Sequence, residues 1–141
     1  MNLSFVEAVV TKRIFSAVAL NKLYYHFHYP LFCPQLALLF NKSLPEYQTN
    51  KPKLDETLDL LETFLGISQN VAGEKMTVAD LALLASVSTV EAAGMLDKGK
   101  WPKISGWLTR LQTELPYYSV NVEGSNMLGG ALKRSLAEIS A

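Results

Sequence analysis

His26, His28 and Cys33 are the first side chains to consider for metal binding or nucleophilic attack. His26 and His28 are two residues apart, so on a helix they point in different directions, whereas helical metal ligands favour spacings of three or four. No Asp or Glu lies close by in sequence to complete a ligand shell. Cys33 has no base or helix N-terminus beside it to lower its pKa, so we expect a buried, inert thiol. The sequence therefore predicts no metal site and no catalytic residue.

A capping box is the other pattern that places chemical groups at a defined spacing. The hydroxyl of Thr77 can accept a hydrogen bond from the backbone N–H three residues later in the chain. The carboxylate of Asp80 can in turn accept one from the backbone N–H of Thr77. Gly73 supplies the sharp turn that leads into the cap. Asp80 could also be read as a catalytic acid, but the capping role explains it fully. We expect the loss of either capping side chain to cost about 1 kcal/mol, and more where the site is buried.

The segment after the cap, residues 78–93, is apolar on nearly all sides. Its polar side chains beyond Asp80 are Ser86, Ser88, Thr89 and Glu91. A helix of this kind is normally buried on most of its surface. We therefore expect a capped helix that runs through the middle of a helical domain and ends at Gly94.

The rest of the chain shows helical periodicity, punctuated by Pro and Gly, and no sustained alternation of period two. Further helices are predicted at residues 5–29, 31–40, 53–65 and 125–139, with another that begins at Pro102 and breaks at Leu115 and Pro116. Residues 45–52 are expected to form a loop. The predicted buried faces are Leu54, Leu58, Leu61 and Leu65 in one helix, and Ile104, Trp107, Leu108 and Leu111 in another. The fold class is therefore all-α, a bundle of five to six helices.

Composition and charge narrow the function classes. The 141 residues carry thirteen basic and thirteen acidic side chains, so there is no electrostatic case for binding nucleic acid or an anionic membrane. A single cysteine suits a reducing compartment. The sequence shows no pattern typical of a signal peptide or of a membrane-spanning segment, so a cytoplasmic location is expected. Only 18% of the residues are charged, which suggests that some apolar surface meets a partner.

Several segments, in the right order, resemble the all-helical C-terminal domain of cytosolic glutathione transferases, and the arthropod delta and epsilon classes in particular. The segments that carry the resemblance are residues 61–65, 71–73, 77–80, 83–89 and 101–107. The central one is the Gly, then Thr-x-x-Asp, that opens the buried helix of that domain. The resemblance covers residues 7–135 and makes the whole chain, residues 1–141, one such helical domain.

The resemblance also implies what this chain lacks. In that family, glutathione is held and activated mainly by an upstream thioredoxin-like domain, and we expect that domain to be absent from this sequence. Glutathione would then be a co-substrate only where the thioredoxin-like domain is supplied. Because a thiol must be ionised to attack an electrophile at neutral pH, we expect the isolated chain to conjugate poorly, which leaves open whether it is an enzyme.

The resemblance places a substrate pocket on the first helix. Phe15 aligns with the wall of the family's hydrophobic pocket, and Val18, Lys22 and Tyr25 follow on the same face. The alternative is that these residues are ordinary core or interface packing. Near the other end of the chain, Tyr117, Tyr118 and the last helix correspond to the family's lid over the pocket, or else to a frayed terminus.

Two functions follow from these observations. In the first, the chain is the substrate-selecting half of a detoxifying glutathione transferase. It would provide the pocket for a small hydrophobic electrophile and part of a dimer interface, and its partner would be a second copy or a thioredoxin-like domain. In the second, the chain is a non-catalytic interaction module of the glutathione-transferase type. Both leave apolar surface to be covered by a partner.

Overall fold

The structure, a computed structural model, describes residues 44–141, and these form helices without a β-strand. The four helices are α1 (Leu44–Ile67), α2 (Val78–Ala92), α3 (Pro102–Glu114) and α4 (Tyr118–Ser140). The all-α class is confirmed for this part of the chain. It holds four helices rather than five to six, and the two further helices predicted at residues 5–29 and 31–40 lie outside the described residues.

The prediction of a loop at residues 45–52 is wrong. Helix α1 begins at Leu44 and carries Pro52 inside it, although an interior proline removes one helical hydrogen bond and costs about 3 kcal/mol. The first two turns are held from outside, because Tyr47 is buried and its hydroxyl donates to Sδ of Met95, 3.7 Å away. An ion pair between Lys51 and Asp55, at 2.6 Å, spans the proline. Tertiary contact therefore outweighs the local break.

The core is formed by the apolar faces that the sequence predicts. All four leucines of the stripe in α1 and all four predicted core residues of α3 are buried. Complete burial of a Leu or Ile side chain is worth about 1.5–3 kcal/mol, so these two faces provide much of the stability. Helix α2 packs mainly against α4, and α1 packs against α3.

Helix α2 ends as the sequence predicts. Gly94 has φ 76°, a left-handed conformation that a residue with a Cβ rarely adopts. Its N–H donates to the carbonyl of Glu91, and the N–H of Met95 donates to the carbonyl of Val90. These two bonds form a Schellman motif, which satisfies carbonyl groups at the end of the helix.

The start of α3 is capped by another helix. Trp101, at its N-cap position, makes no side-chain capping bond. The two carboxylate oxygens of Glu62, on α1, instead accept from the N–H groups of Lys103 (2.7 Å) and Ile104 (2.9 Å). The indole N–H of Trp101 donates to Asp59, also on α1, and this bond holds the pKa of the Asp59 carboxyl below its ordinary value. Acidic residues of α1 thus fix the position of α3.

Helix α4 begins at Tyr118, seven residues earlier than the predicted start at Ser125. It lies closely against the end of α2 at Gly129. A Cβ built on Gly129 would lie 2.5 Å from Cβ of Ala92 and 2.9 Å from the backbone nitrogen of Ala93. The glycine therefore permits an approach between the two helices that no other residue would allow.

None of the helices formed by residues 44–141 has the combination of length and apolar character that a bilayer-spanning segment requires.

Candidate ligand-binding groove

The residues predicted to line a pocket on the first helix, which are Phe15, Val18, Lys22 and Tyr25, lie outside the described residues. Their role stays a prediction. The same holds for His26, His28 and Cys33. Within residues 44–141, no three His, Cys, Asp or Glu side chains come together in a way that could hold a metal ion.

The capping box at Thr77 and Asp80 is present in the structure. The hydroxyl of Thr77 accepts from the N–H of Ala79 at 3.3 Å. Oδ2 of Asp80 accepts from the backbone N–H of Thr77 at 2.9 Å and from its hydroxyl at 3.2 Å. The first turn of α2 is therefore closed by reciprocal hydrogen bonds between these two residues.

Asp80 has two further donors that sequence reasoning missed. Its Oδ1 accepts from the backbone N–H of Val71 at 2.9 Å and from the indole N–H of Trp107 at 3.3 Å. The carboxylate is completely buried, so both bonds are shielded from water. Asp80 thereby connects the loop before α2, the start of α2 and the middle of α3. Its oxygens are occupied by structural donors, and this arrangement supports the capping role over the catalytic alternative.

An open groove of about 590 Å³ lies between the first half of α2 and the segment that joins α3 to α4. The described residues that line it are Leu81, Leu84, Leu115, Pro116, Tyr117, Tyr118, Val120 and Asn121. Three of the apolar or aromatic side chains among them are exposed, with Leu81 47%, Val120 69% and Tyr117 79% accessible. The structure thus leaves a concave, largely apolar surface open to a ligand.

The groove has a distinct chemical character. No Asp, Glu, Lys, Arg or His is among its described lining residues, and its polar groups are two tyrosine hydroxyls and the amide of Asn121. Burial of an apolar molecule against such a surface is favourable, because it removes apolar area from water. Among the described residues, this lining is therefore suited to contact with an apolar compound.

Tyr117 and Tyr118, expected as part of a lid or of a frayed terminus, both line this groove. Tyr118 is partly buried against the core and begins α4, whereas Tyr117 is exposed. The N–H of Tyr118 donates to the carbonyl of Leu115 at 3.3 Å, which turns the chain from α3 into α4. Helix α4 then continues without interruption to Ser140.

Comparison with known proteins assigns the family. Residues 20–114, about two thirds of the chain, match the family model described as "Glutathione S-transferase, C-terminal domain". The chain belongs to this family. The match includes α1, α2 and α3, and with them the capping box at the start of α2.

Individual relatives of this glutathione transferase domain come from insects. Glutathione S-transferase D6 of Drosophila melanogaster is 36% identical over 84 residues, which are 60% of this chain and 39% of that protein. A delta-class glutathione transferase of Nilaparvata lugens superposes with a TM-score of 0.72 at 30% identity, over 82% of this chain and 56% of its own. A glutathione transferase homologue of Drosophila mojavensis, solved with bound glutathione, has a TM-score of 0.69 at 28% identity, over 95% and 58% of the two chains.

These relatives are longer than the region they share with this chain. The chain spans 39% of the length of the Drosophila melanogaster protein and a little over half of each of the two structures. The family and the fold of the shared region are therefore shown, whereas the activity, substrates and partners of the whole proteins come to this chain only as proposals.

Proposed function

We propose that this chain provides the electrophile-binding half of a delta- or epsilon-type glutathione transferase. The groove between α2 and the start of α4 would take a small hydrophobic electrophile, and the thiolate of glutathione would attack it there. The observation that carries the proposal is an open groove of about 590 Å³, in a domain of this family, whose lining from residues 44–141 includes no charged side chain. That volume lies in the range of about 300–1,000 Å³ that small-molecule pockets occupy.

The contacts of the groove suit aromatic electrophiles best. The rings of Tyr117 and Tyr118 can stack on an aromatic ligand, and such pairs add about 0.5–1.5 kcal/mol beyond the burial of area. Leu81 and Leu84 provide apolar lining from α2. The proposed pocket residues Phe15, Val18, Lys22 and Tyr25 would add a further wall from the first helix.

Activation of the thiol is assigned to another domain in this proposal. A thioredoxin-like domain, in the same polypeptide or in a partner, would hold glutathione and lower the pKa of its thiol. The groove, which has no charged lining residue in the described chain, would contribute binding and orientation. The assembled protein would be a cytoplasmic detoxifying dimer.

A second candidate is the non-catalytic interaction module. The observation that favours it is an exposed apolar residue beside the groove rather than in it, Val78, which is 67% accessible. Such surface on a helix can serve to dock another protein. The two candidates differ in whether the groove itself binds a small molecule.

Calorimetric titration of the purified chain with 1-chloro-2,4-dinitrobenzene separates them. Leu81→Gln, inside the groove, should weaken binding roughly 5- to 30-fold, because about 1–2 kcal/mol of apolar contact is lost. Val78→Gln is the matched control, since Val78 is exposed on the same helix but does not line the groove, and its affinity should stay within about twofold of the original. Absence of binding, or an equal effect of both substitutions, contradicts the proposal and favours the interaction module.

A further inference from the structure

One polar side chain of the groove has an orientation that its neighbours determine. Nδ2 of Asn121 donates to Oγ of Ser88 at 2.9 Å, and Oγ of Ser88 donates to the carbonyl oxygen of Leu84. A serine hydroxyl has one proton, and here that proton is already committed to Leu84. Ser88 can therefore only accept from Asn121. The amide nitrogen must face Ser88, and the carbonyl oxygen Oδ1 must face away from it.

Within residues 44–141, this arrangement leaves the carbonyl oxygen of Asn121 without a protein donor. Ser88 is buried on α2, whereas Asn121 is partly exposed and lines the groove. Among residues 44–141, no donor lies within hydrogen-bonding distance of Oδ1, although an amide oxygen can accept two hydrogen bonds. Water can satisfy Oδ1 while the groove is open. A ligand that fills the groove removes this water, and Oδ1 then needs a donor from the ligand or stays unpaired at a cost in free energy.

We propose that Asn121 is a specificity-determining residue of the groove, and that it selects apolar aromatic molecules that carry a hydrogen-bond donor, such as a phenolic hydroxyl, beside the first turn of α4. The inference rests on the proposed function, since it requires that the groove bind small apolar molecules. A site that pairs a ligand donor discriminates strongly against an analogue without it, because its own polar group is then left unpaired. The neighbouring leucines, in contrast, distinguish such analogues only by size.

The test uses three ligands of similar shape, titrated separately into the full chain: 1-naphthol, 1-methylnaphthalene and 1-methoxynaphthalene. The first carries a donor, the second has no hydrogen-bonding group, and the third has only an acceptor. The quantity of interest is the affinity for 1-naphthol divided by the affinity for 1-methylnaphthalene, compared between variants, so that the different hydration of the two ligands cancels. In Asn121→Leu, which keeps the size of the side chain but removes the acceptor, this ratio should fall roughly five- to tenfold, the effect of one net hydrogen bond.

Two further variants separate the role of the amide from other causes. Ser88→Ala removes the acceptor that orients the amide, so the ratio should fall at least twofold even if Asn121→Leu does not fold. Tyr117→Phe removes a hydroxyl from the groove but keeps the ring, and the ratio should stay unchanged. The inference is overturned if this affinity ratio is unaltered in both the Asn121 and Ser88 variants. It is also overturned if the ratio falls in Tyr117→Phe as far as it does in Asn121→Leu.

The outcomes also distinguish this inference from the proposed function. If the ligands bind but Asn121→Leu changes only the affinity for 1-methoxynaphthalene, the amide acts through its N–H and the assignment to Oδ1 is wrong, while the groove remains a binding site. If none of the three ligands binds to the original chain, the proposed function fails and takes the inference with it.

Discussion

Asp80 has a stabilising role that rests on the variety of its donors. Two backbone N–H groups, a hydroxyl and an indole N–H surround its carboxylate, and they come from the loop before α2, the N-cap residue of α2 and helix α3. Hydrogen bonds to a charged acceptor are worth about 1.5–3 kcal/mol each when buried, although they do not add simply. A single side chain therefore holds together the part of the molecule on which α2, and with it one side of the groove, depends.

Removal of this carboxylate should be among the most destabilising single changes in the chain. Asp80→Ala leaves the buried donors of Val71, Thr77 and Trp107 without their acceptor, and we expect a loss of about 3–5 kcal/mol in the free energy of unfolding. Denaturant unfolding followed by tryptophan fluorescence measures this loss.

Asp97→Ala is the matched control for this prediction. Asp97 also accepts two backbone N–H groups, those of Gly99 (2.9 Å) and Lys100 (3.2 Å), but it does so in an exposed loop where water can replace it. Its removal should cost about 1 kcal/mol or less. Equal losses for the two aspartates would show that burial is not what makes Asp80 important.

Of the residues that donate hydrogen bonds to Asp80, only Thr77 could be predicted from the sequence. The partner three residues away, Thr77, follows from helix-capping chemistry alone. The donors of Val71 and Trp107 are 9 and 27 residues away, so no local rule identifies them. Trp107 was recognised as a core residue, but the direction of its indole N–H depends on how α3 packs against α2.

Helix boundaries show where local rules meet their limit. The stripe of leucines in α1 and the caps of α2 are local patterns, and they were predictable. The first part of α1 was not, because Pro52 is a local stop signal that is outweighed by the contact of Tyr47 with Met95, 48 residues away. The capping of α3 by Glu62 was missed for the same reason, since the two groups lie about 40 residues apart.

Where α4 crosses α2, replacing a helical glycine by alanine should destabilise the protein, although the same change usually stabilises a helix. Gly129→Ala would raise the helix propensity of α4, but its new methyl group would clash with Ala92 and the backbone of Ala93. We expect a net loss of about 1–3 kcal/mol in the free energy of unfolding. Thermal unfolding monitored by circular dichroism is the measurement.

A second glycine of the same helix provides the control. A Cβ on Gly124 would meet nothing within 4 Å, so Gly124→Ala should stabilise the protein by about 0.5–1 kcal/mol. If both substitutions stabilised it, α4 would not lie as closely on α2 as the structure places it.

At the scale of the whole molecule, the groove depends on elements that are remote in sequence. Leu81 and Leu84 come from α2, whereas Tyr117 and Asn121 follow the break between α3 and α4. The family resemblance indicated that Tyr117 and Tyr118 belong near a pocket, but residue spacing could not reveal that they face the start of α2. The fold class could be predicted from helical patterns, and the groove required the packing of α2 against α4.

The central claim is that this groove, rather than another surface of residues 44–141, binds small hydrophobic electrophiles. Amide chemical-shift mapping of the isotope-labelled chain with 1-chloro-2,4-dinitrobenzene tests it directly. We predict that the largest shifts fall on Leu81, Leu84, Tyr118 and Asn121, while Gly99, in the loop before α3, stays unaffected. Shifts that cluster on another part of the described surface, or none at saturating ligand, would contradict the account.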